Sequence, residues 1–208
     1  LQFLAGQYID ILLKDGKRRS FSLANAPHDD ALLQLHIRHV PGGLFTEQVF
    51  SSMKLRDILR FNGPHGSFYL REDSTKPMIF LAGGTGFAPI KALVEHAIAE
   101  NCARRIYVYW GAKARVDLYM PSLPEQWPAA HQNISYIPVL SEPAENDQWH
   151  GRTGLVHQAV TVDHENLADF QVYACGSPGM IEATKRDFIA AGLPEDEFFA
   201  DIFSFSTN

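Results

Sequence analysis

In the first third of the chain, apolar positions recur at nearly every second residue and break at glycine, proline, aspartate and asparagine. That is the pattern of short, half-buried strands, and it predicts them over residues 7–13, 18–24, 31–39 and 56–64. One stretch departs from it. In "GGLFTEQVFSSM", Leu44, Val49 and Met53 follow a glycine pair at roughly helical spacing, so a short helix is expected there. Short strands with turn signals at this spacing point to a small antiparallel barrel.

The pattern changes after "REDSTKP", residues 71–77, which reads as a linker. Strand-like runs ("MIFLAG", "RIYVYWGA", "ISYIPVLS", "QVYACG" and a closing "EFFADIFSF") now alternate with helical stretches ("APIKALVEHAIAE", "GLVHQAVTV", "PGMIEATKRDFIAAG"). Between the second and third strands lies the region "DLYMPSLPEQWPAA". Strand–helix alternation means a parallel sheet covered on both faces. The runs "MIFLA" and "QVYAC" are apolar on both sides, as burial on both faces requires. Two domains are therefore expected, an antiparallel β-barrel over residues 1–72 and a parallel α/β domain over 73–208.

Composition narrows the function without changing this outline. At 208 residues, with 46% hydrophobic and 20% charged positions, the chain reads as an ordinary globular protein. No apolar run approaches the roughly 20 residues that span a bilayer, and residues 1–20 lack signal-peptide features, so a cytoplasmic location is expected. A net charge of -6 speaks against a nucleic-acid surface. The two cysteines, Cys102 and Cys175, lie far apart and cannot by themselves form a zinc or iron–sulfur site. His36 and His39 match no metal motif, and no metal site is expected. The chain opens at Leu1 in mid-pattern and without methionine, which suggests a fragment or a missing beginning.

Two stretches carry chemistry. In "FLAGGTGFAPIKAL" a buried strand ends at Ala82, Gly83–Gly86 make the turn, and a helix begins near Pro89, a residue suited to a first helical turn. Glycines there let backbone N–H groups approach a pyrophosphate, although such a turn also serves merely to pack helix on strand. Ligands of open α/β sheets bind outside the carboxyl ends of the strands. That edge should collect Gly84, Thr85 and Gly86, then Trp110, Gly111 and Lys113, and then Cys175, Gly176, Pro178 and Met180. The second stretch, "KRRSFSLANAP", packs cationic, hydroxyl and aromatic residues into four positions, Arg19 to Ser22. A strand built only to fill a core has no need of that mixture.

Taken in order, "RSFS" (19–22), "PGGLFT" (41–46), "GPHGSF" (63–68), "GGTGFAP" (83–89), "CGSPGM" (175–180) and "DIF" (201–203) resemble the motifs of the ferredoxin–NADP reductase superfamily of flavoproteins. The resemblance is greatest to bacterial NADH-dependent reductases of multicomponent oxygenases, to reductases of the CDP-6-deoxy-3,4-glucoseen type and to NAD(P)H–flavin reductases. It implies a non-covalent FAD with Arg19 on its pyrophosphate, Phe21 against the isoalloxazine ring, and Ser22 near the flavin N5. Phe21 stands where tyrosine is commoner. Arg19 and Phe21 alternate with Ser20 and Ser22 along a strand, so a bend is needed to bring Ser22 to the ring. By the same resemblance His36, Arg38 and Val40 run along the flavin, and Gly42, Gly43, Leu44 and Thr46 offer donors to the pyrophosphate.

Gly84, Thr85, Gly86 and Pro89 would line the pyrophosphate of NADH or NADPH. Lys113 and Arg115 fall near the adenosine ribose but form no clear cluster for a 2′-phosphate, so NADH is favoured; solvated loop cations are an equal reading of both. Cys175 would shape the nicotinamide pocket, Asp201 would act with Ser22 near N5, and Phe203 would cover the ring. Each also reads as an ordinary packing residue. The implied activity is hydride transfer from NADH to FAD, followed by single-electron release to a [2Fe-2S] acceptor on a ferredoxin-like partner or a domain upstream of Leu1. The family barrel also requires at least one more strand before Leu1. Two alternatives stay open: a reductase using free flavin as its substrate, and a nucleotide-binding electron-transfer subunit without turnover.

Overall fold

The computed structural model describes residues 1–202. Its first half is an antiparallel sheet of three strands, β1 (Tyr8–Leu12), β2 (Arg18–Ser22) and β3 (Arg60–His65), in the order β2-β1-β3. β1 is central, pairing with both neighbours, and its inward positions Ile9 and Ile11 are buried while the positions flanking them are less so, the period of a half-buried strand. Helix α1 (Leu44–Ser51) presents Phe45 to the same core, beside Phe3, Ile9, Ile11 and Leu23.

The segment 31–39 differs from expectation. It forms no ladder, and its only bridge joins Leu35 to Leu23. The Asn25 side chain takes the Gln34 N–H at 2.9 Å, a local side-chain bond that competes with continued strand pairing. The first half is thus the antiparallel sheet domain that the strand pattern predicts, built on three strands with the segment 31–39 joined to them by a single bridge. The strand expected over 56–64 begins later, at Arg60, after Arg56 takes a left-handed backbone with φ 75°.

In the second half six strands form one parallel sheet in the order β7-β6-β5-β4-β8-β9. They are β4 (Met78–Gly83), β5 (Ile106–Ala112), β6 (Ile134–Leu140), β7 (Arg152–Thr153), β8 (Gln171–Gly176) and β9 (Phe198–Ile202). Alternate residues of β4 and β8 face opposite layers. Phe80 and Tyr173 pack with α2 (Phe87–Ala99) and with Trp127 of α3 (Ser122–Ala130). Ile79, Leu81, Val172 and Ala174 pack with α4 (Val156–Asp163) and α5 (Pro178–Ala190). From β4 the chain runs outward through β5, β6 and β7, then returns to place β8 on the other side of β4. The reversal makes the carboxyl ends of β4 and β8 the switch point of the sheet, where open α/β folds bind their ligands. Among the described residues no helix is long and apolar enough to cross a membrane.

Candidate functional site

A cleft of about 680 Å³ opens between the two halves, within the range of about 300–1,000 Å³ that holds most bound cofactors. One wall comes from β2 and from the chain between His36 and Thr46; the other comes from Thr85, Ala88, Asp201 and Ile202. The strand residues Arg19, Ser20, Phe21 and Ser22 all reach it, although alternation assigns them to two faces. β2 ends at Ser22, opposite Tyr8, and the next residue, Leu23, bonds Gln7 and bridges Leu35. His36, Arg38, Val40, Gly42, Gly43, Leu44 and Thr46 line the same cleft without being in a strand.

The decisive contact crosses between the halves. The Ser22 hydroxyl donates to Asp201 Oδ2 at 3.2 Å, and Ser22 is only 4% exposed. Burial raises the Asp201 carboxyl above the usual carboxylate range, against the lowering effect of the Ser22 hydroxyl and the Ile202 N–H. Asp201 pairs across the sheet with Cys175, which in turn pairs with Ala82 of β4. The Cys175 thiol is fully buried, and burial with the nearby Asp201 charge pushes it well up. It remains a protonated, packed thiol at neutral pH, suited to shaping a wall and not to nucleophilic attack.

The glycine turn divides its duties. A Cβ on Gly86 would lie 2.1 Å from the Cys175 carbonyl oxygen, and one on Gly83 or Gly176 would meet Met180 at 2.5 Å. These glycines let the end of β4 press against the end of β8, with Met180 folded over both. Gly84 is different: its φ is 53°, and nothing lies within 4 Å of a Cβ there. Of the turn glycines it alone combines a backbone conformation that favours glycine with open space. Pro178 stands in the first turn of α5, where the Ser177 hydroxyl accepts from the Met180 N–H at 3.4 Å.

Other expected contacts are engaged elsewhere. Trp110 is fully buried, stacked on Phe87 at 3.8 Å, and its indole N–H donates to the Gly84 carbonyl at 2.9 Å; it holds the turn from beneath. Pro89 is buried in α2, and Gly111 packs under Val156. The Thr46 hydroxyl donates to the Val40 carbonyl at 3.0 Å and closes its own loop. The Ser20 hydroxyl donates to Asp10 at 2.6 Å. Lys113 pairs with Glu142 at 3.2 Å, and Arg115 donates to the Asp147 carbonyl at 2.8 Å. Phe203 lies outside the described residues.

Two features escape sequence reading. Tyr119 shares a hydrogen bond of 2.7 Å with His36 Nδ1, edge-on to its ring. Lys91, in the middle of an apolar helix, is buried and bonded to the first half. A lysine amid "FAPIKALVEHAIA" was the available signal for the second; nothing in the sequence marks the first. Burial, with the Lys91 charge nearby, lowers the His36 pKa from 6.5 to about 4. Between those values the unfolded chain binds a proton that the folded chain refuses. Stability is therefore lost as pH falls through that window. His36 is expected to titrate near pH 4 by NMR, and His36→Gln to melt with a smaller loss between pH 7 and pH 4.5.

Residues 1–69 match the oxidoreductase FAD-binding domain family, and residues 80–186 match the oxidoreductase NAD-binding domain family. The chain belongs to the ferredoxin–NADP reductase-like FAD- and NAD-binding oxidoreductases. Over 98% of its length it is 47% identical to the CDP-6-deoxy-L-threo-D-glycero-4-hexulose-3-dehydrase reductase of Yersinia pestis, of which it covers 60%. It is 33% identical to the NAD(P)H-flavin reductase of Aliivibrio fischeri, covering 98% of this chain and 87% of that one. The crystal structure of the Amycolatopsis cytochrome P450 reductase GcoB superposes with a TM-score of 0.92 at 31% identity, covering 100% of this chain and 63% of that one. The oxidoreductase therefore spans about 60% of the length of the first of these relatives.

The cleft suits the cofactor of such a protein. Arg19 and Arg38 supply cations and Phe21 an aromatic face. Among the described residues α1 has no side-chain cap, and its first-turn residues Leu44, Phe45 and Thr46 line the cleft, so uncapped amides and the helix dipole favour an anion there. The Gly42 N–H already holds the Glu47 carboxylate at 3.0 Å, and this contact helps to lower the Glu47 pKa.

Proposed function

We propose that this oxidoreductase is the electron-transfer reductase of a multicomponent system, with residues 1–72 holding FAD and residues 73–208 receiving NADH. When bound, FAD supplies the chemistry, accepting hydride from the nicotinamide and releasing electrons one at a time. Arg19 and the amides of Leu44–Thr46 would hold its pyrophosphate, while the Gly42–Gly43 turn, whose N–H groups bond Glu47 and the Val40 carbonyl, shapes the approach to that helix. Phe21, with His36, Arg38 and Val40, forms the bed for the ring. Ser22 and Asp201 hold a proton at Ser22 Oγ beside the reacting face, and Cys175, behind Asp201, keeps the wall small and dry. Gly84 and Thr85 receive the nucleotide pyrophosphate. The observation that carries this reading is that a single cleft gathers Arg19–Ser22 from one half and Thr85 and Asp201 from the other.

Carboxylates or carbonyls of the 142–147 loop engage both Lys113 and Arg115, which supports NADH over a nucleotide bearing a 2′-phosphate. The family resemblance suggests a [2Fe-2S] centre as the electron acceptor; with only Cys102 and Cys175 in the sequence, too few to ligate one, it would lie on a ferredoxin-like domain or protein. A reductase of a cytochrome P450 among the relatives supports a one-electron acceptor. Coverage of 87% of an NAD(P)H-flavin reductase favours a second reading, in which flavin enters as a substrate.

Anaerobic titration with NADH, followed by visible absorbance, tests the two. A bound-flavin band that bleaches near one equivalent of NADH is expected, with NADPH acting at least tenfold more slowly. A colourless protein that oxidises NADH only after free flavin is added would establish the second reading in place of the first.

A further inference from the structure

Lys91 lies outside the cleft wall, yet it ties the two halves of that wall together. Its side chain is only 6% exposed. The ammonium donates to the Ala24 carbonyl at 2.9 Å, to Glu95 Oε2 at 2.7 Å and to Gln34 Oε1 at 3.4 Å. Its three N–H groups thus meet three acceptors, two of them in the flavin half. Ala24 lies two residues beyond Ser22, and Gln34 two residues before His36. These positions are themselves joined: the Ala24 N–H donates to the Gln34 carbonyl at 2.8 Å, and Leu23 bridges Leu35. Lys91 therefore grips the point where the two cleft-lining segments of the flavin half meet. It does so from the helix that carries Ala88 and begins directly after Thr85 and Gly86.

Stability alone gives little reason for a charge here. Desolvating an ammonium costs several kcal/mol, and apolar side chains of similar volume often replace buried ion pairs without loss. Glu95 carries the same cost, since burial raises its carboxyl despite the Lys91 partner. What the ammonium provides, and a methionine does not, is direction. Hydrogen bonds to a backbone carbonyl and a side-chain amide fix distance and angle, whereas an apolar contact lets one surface slide on the other. Hydride transfer is sensitive to such placement, because errors near 1 Å cost about 100-fold in rate.

We propose that Lys91 is a positioning residue for hydride transfer: its ammonium fixes the exit of β2 against the start of α2, and so sets the placement of Ser22 relative to the glycine turn. The proposal rests on the reading of the cleft as the hydride-transfer site. It is tested with Lys91→Met and with Lys91→Met/Glu95→Gln, in which the orphaned carboxylate is also neutralised. Both variants are expected to bind FAD and to half-saturate with NADH within threefold of wild type. Flavin bleaching at saturating NADH is expected to slow at least tenfold in both. In the apoproteins the Ala24 and Gln34 amides are expected to exchange hydrogen at least tenfold faster.

The double variant separates position from folding. If the buried carboxylate alone were at fault, it would regain both thermal stability and rate; a positioning role predicts recovery of stability without recovery of rate. Should Lys91→Met fail to fold, the double variant carries the same comparison. Bleaching within twofold of wild type in either variant, or unchanged exchange at Ala24 and Gln34, overturns the role of Lys91. A wild-type chain that binds FAD but does not bleach with NADH overturns the reading of the cleft instead.

Discussion

Flavin reduction at saturating NADH is expected to slow about 100-fold in Ser22→Ala and by a similar factor in Asp201→Asn, a loss at the lower end of what positioned acid–base groups contribute. The two side chains form one unit across the cleft, joined at 3.2 Å. Alanine at position 22 removes the proton donor. Asparagine at 201 keeps an acceptor for the serine but takes away the group that can hold charge. Because the two act together, the double variant is expected to be little slower than either single one. Anaerobic stopped-flow absorbance measures all three, and variants that retain more than half the wild-type rate would remove the pair from the chemistry.

Stability should move the other way. Burial raises the Asp201 carboxyl in the folded protein, so the folded state holds a proton that the unfolded state has released. The cost appears as pH rises from the ordinary aspartate range through the raised value, and it is present in full above that value. Asp201→Asn is therefore expected to melt higher than wild type near neutral pH, and to lose that advantage in acid. A site residue that weakens the fold it belongs to is a common consequence of placing a carboxylate where function needs it.

The second large effect concerns FAD retention. Arg19→Ala is expected to weaken FAD binding by about 10- to 100-fold, the equivalent of the roughly 1.5–3 kcal/mol carried by a hydrogen bond to a charged group. Arg19→Lys should fall between the two, since it keeps the charge but loses the planar fork that grips two phosphate oxygens. Quenching of flavin fluorescence on titration into apoprotein measures all three. Equal affinity in Arg19→Ala and wild type would move the pyrophosphate away from β2.

Most of the nucleotide half could be read directly from residue patterns. "MIFLA" and "QVYAC" are apolar without alternation because β4 and β8 are buried on both faces, a condition that leaves its mark on every position. The flavin half was legible only in part. "ALLQLHIRH" alternates like a strand, yet Asn25 caps it at Gln34 and the pairing stops at one bridge; a side-chain bond of this kind leaves the alternation of the segment unchanged. β7, two residues long, is too short for any period to register. Of the residues that meet in the cleft, Arg19 to Ser22 stood out by chemical type, whereas Asp201 was marked only by the resemblance of "DIF" to a family motif. The duties of Gly86 and Trp110 did not stand out, because packing against Cys175 and Gly84 depends on which strand ends the sheet brings together. Tyr119 and Lys91 act across the boundary between the halves, and neither has a neighbour in sequence that reveals its partner.

The Ser22–Asp201 contact joins residues 179 positions apart, and this sets an order of events during synthesis. At ribosomal rates of about 5–20 residues per second, and with domains folding largely as they emerge, β2 is made well before β9 exists. Ile9, Ile11 and Phe45, the core of the flavin half, are all made while the carboxylate that faces Ser22 is still untranslated. A nascent or prematurely ended chain therefore carries one wall of the cleft and lacks the Asp201 opposite it. β9 completes the pair, so the Ser22–Asp201 contact arises only once both halves have been made.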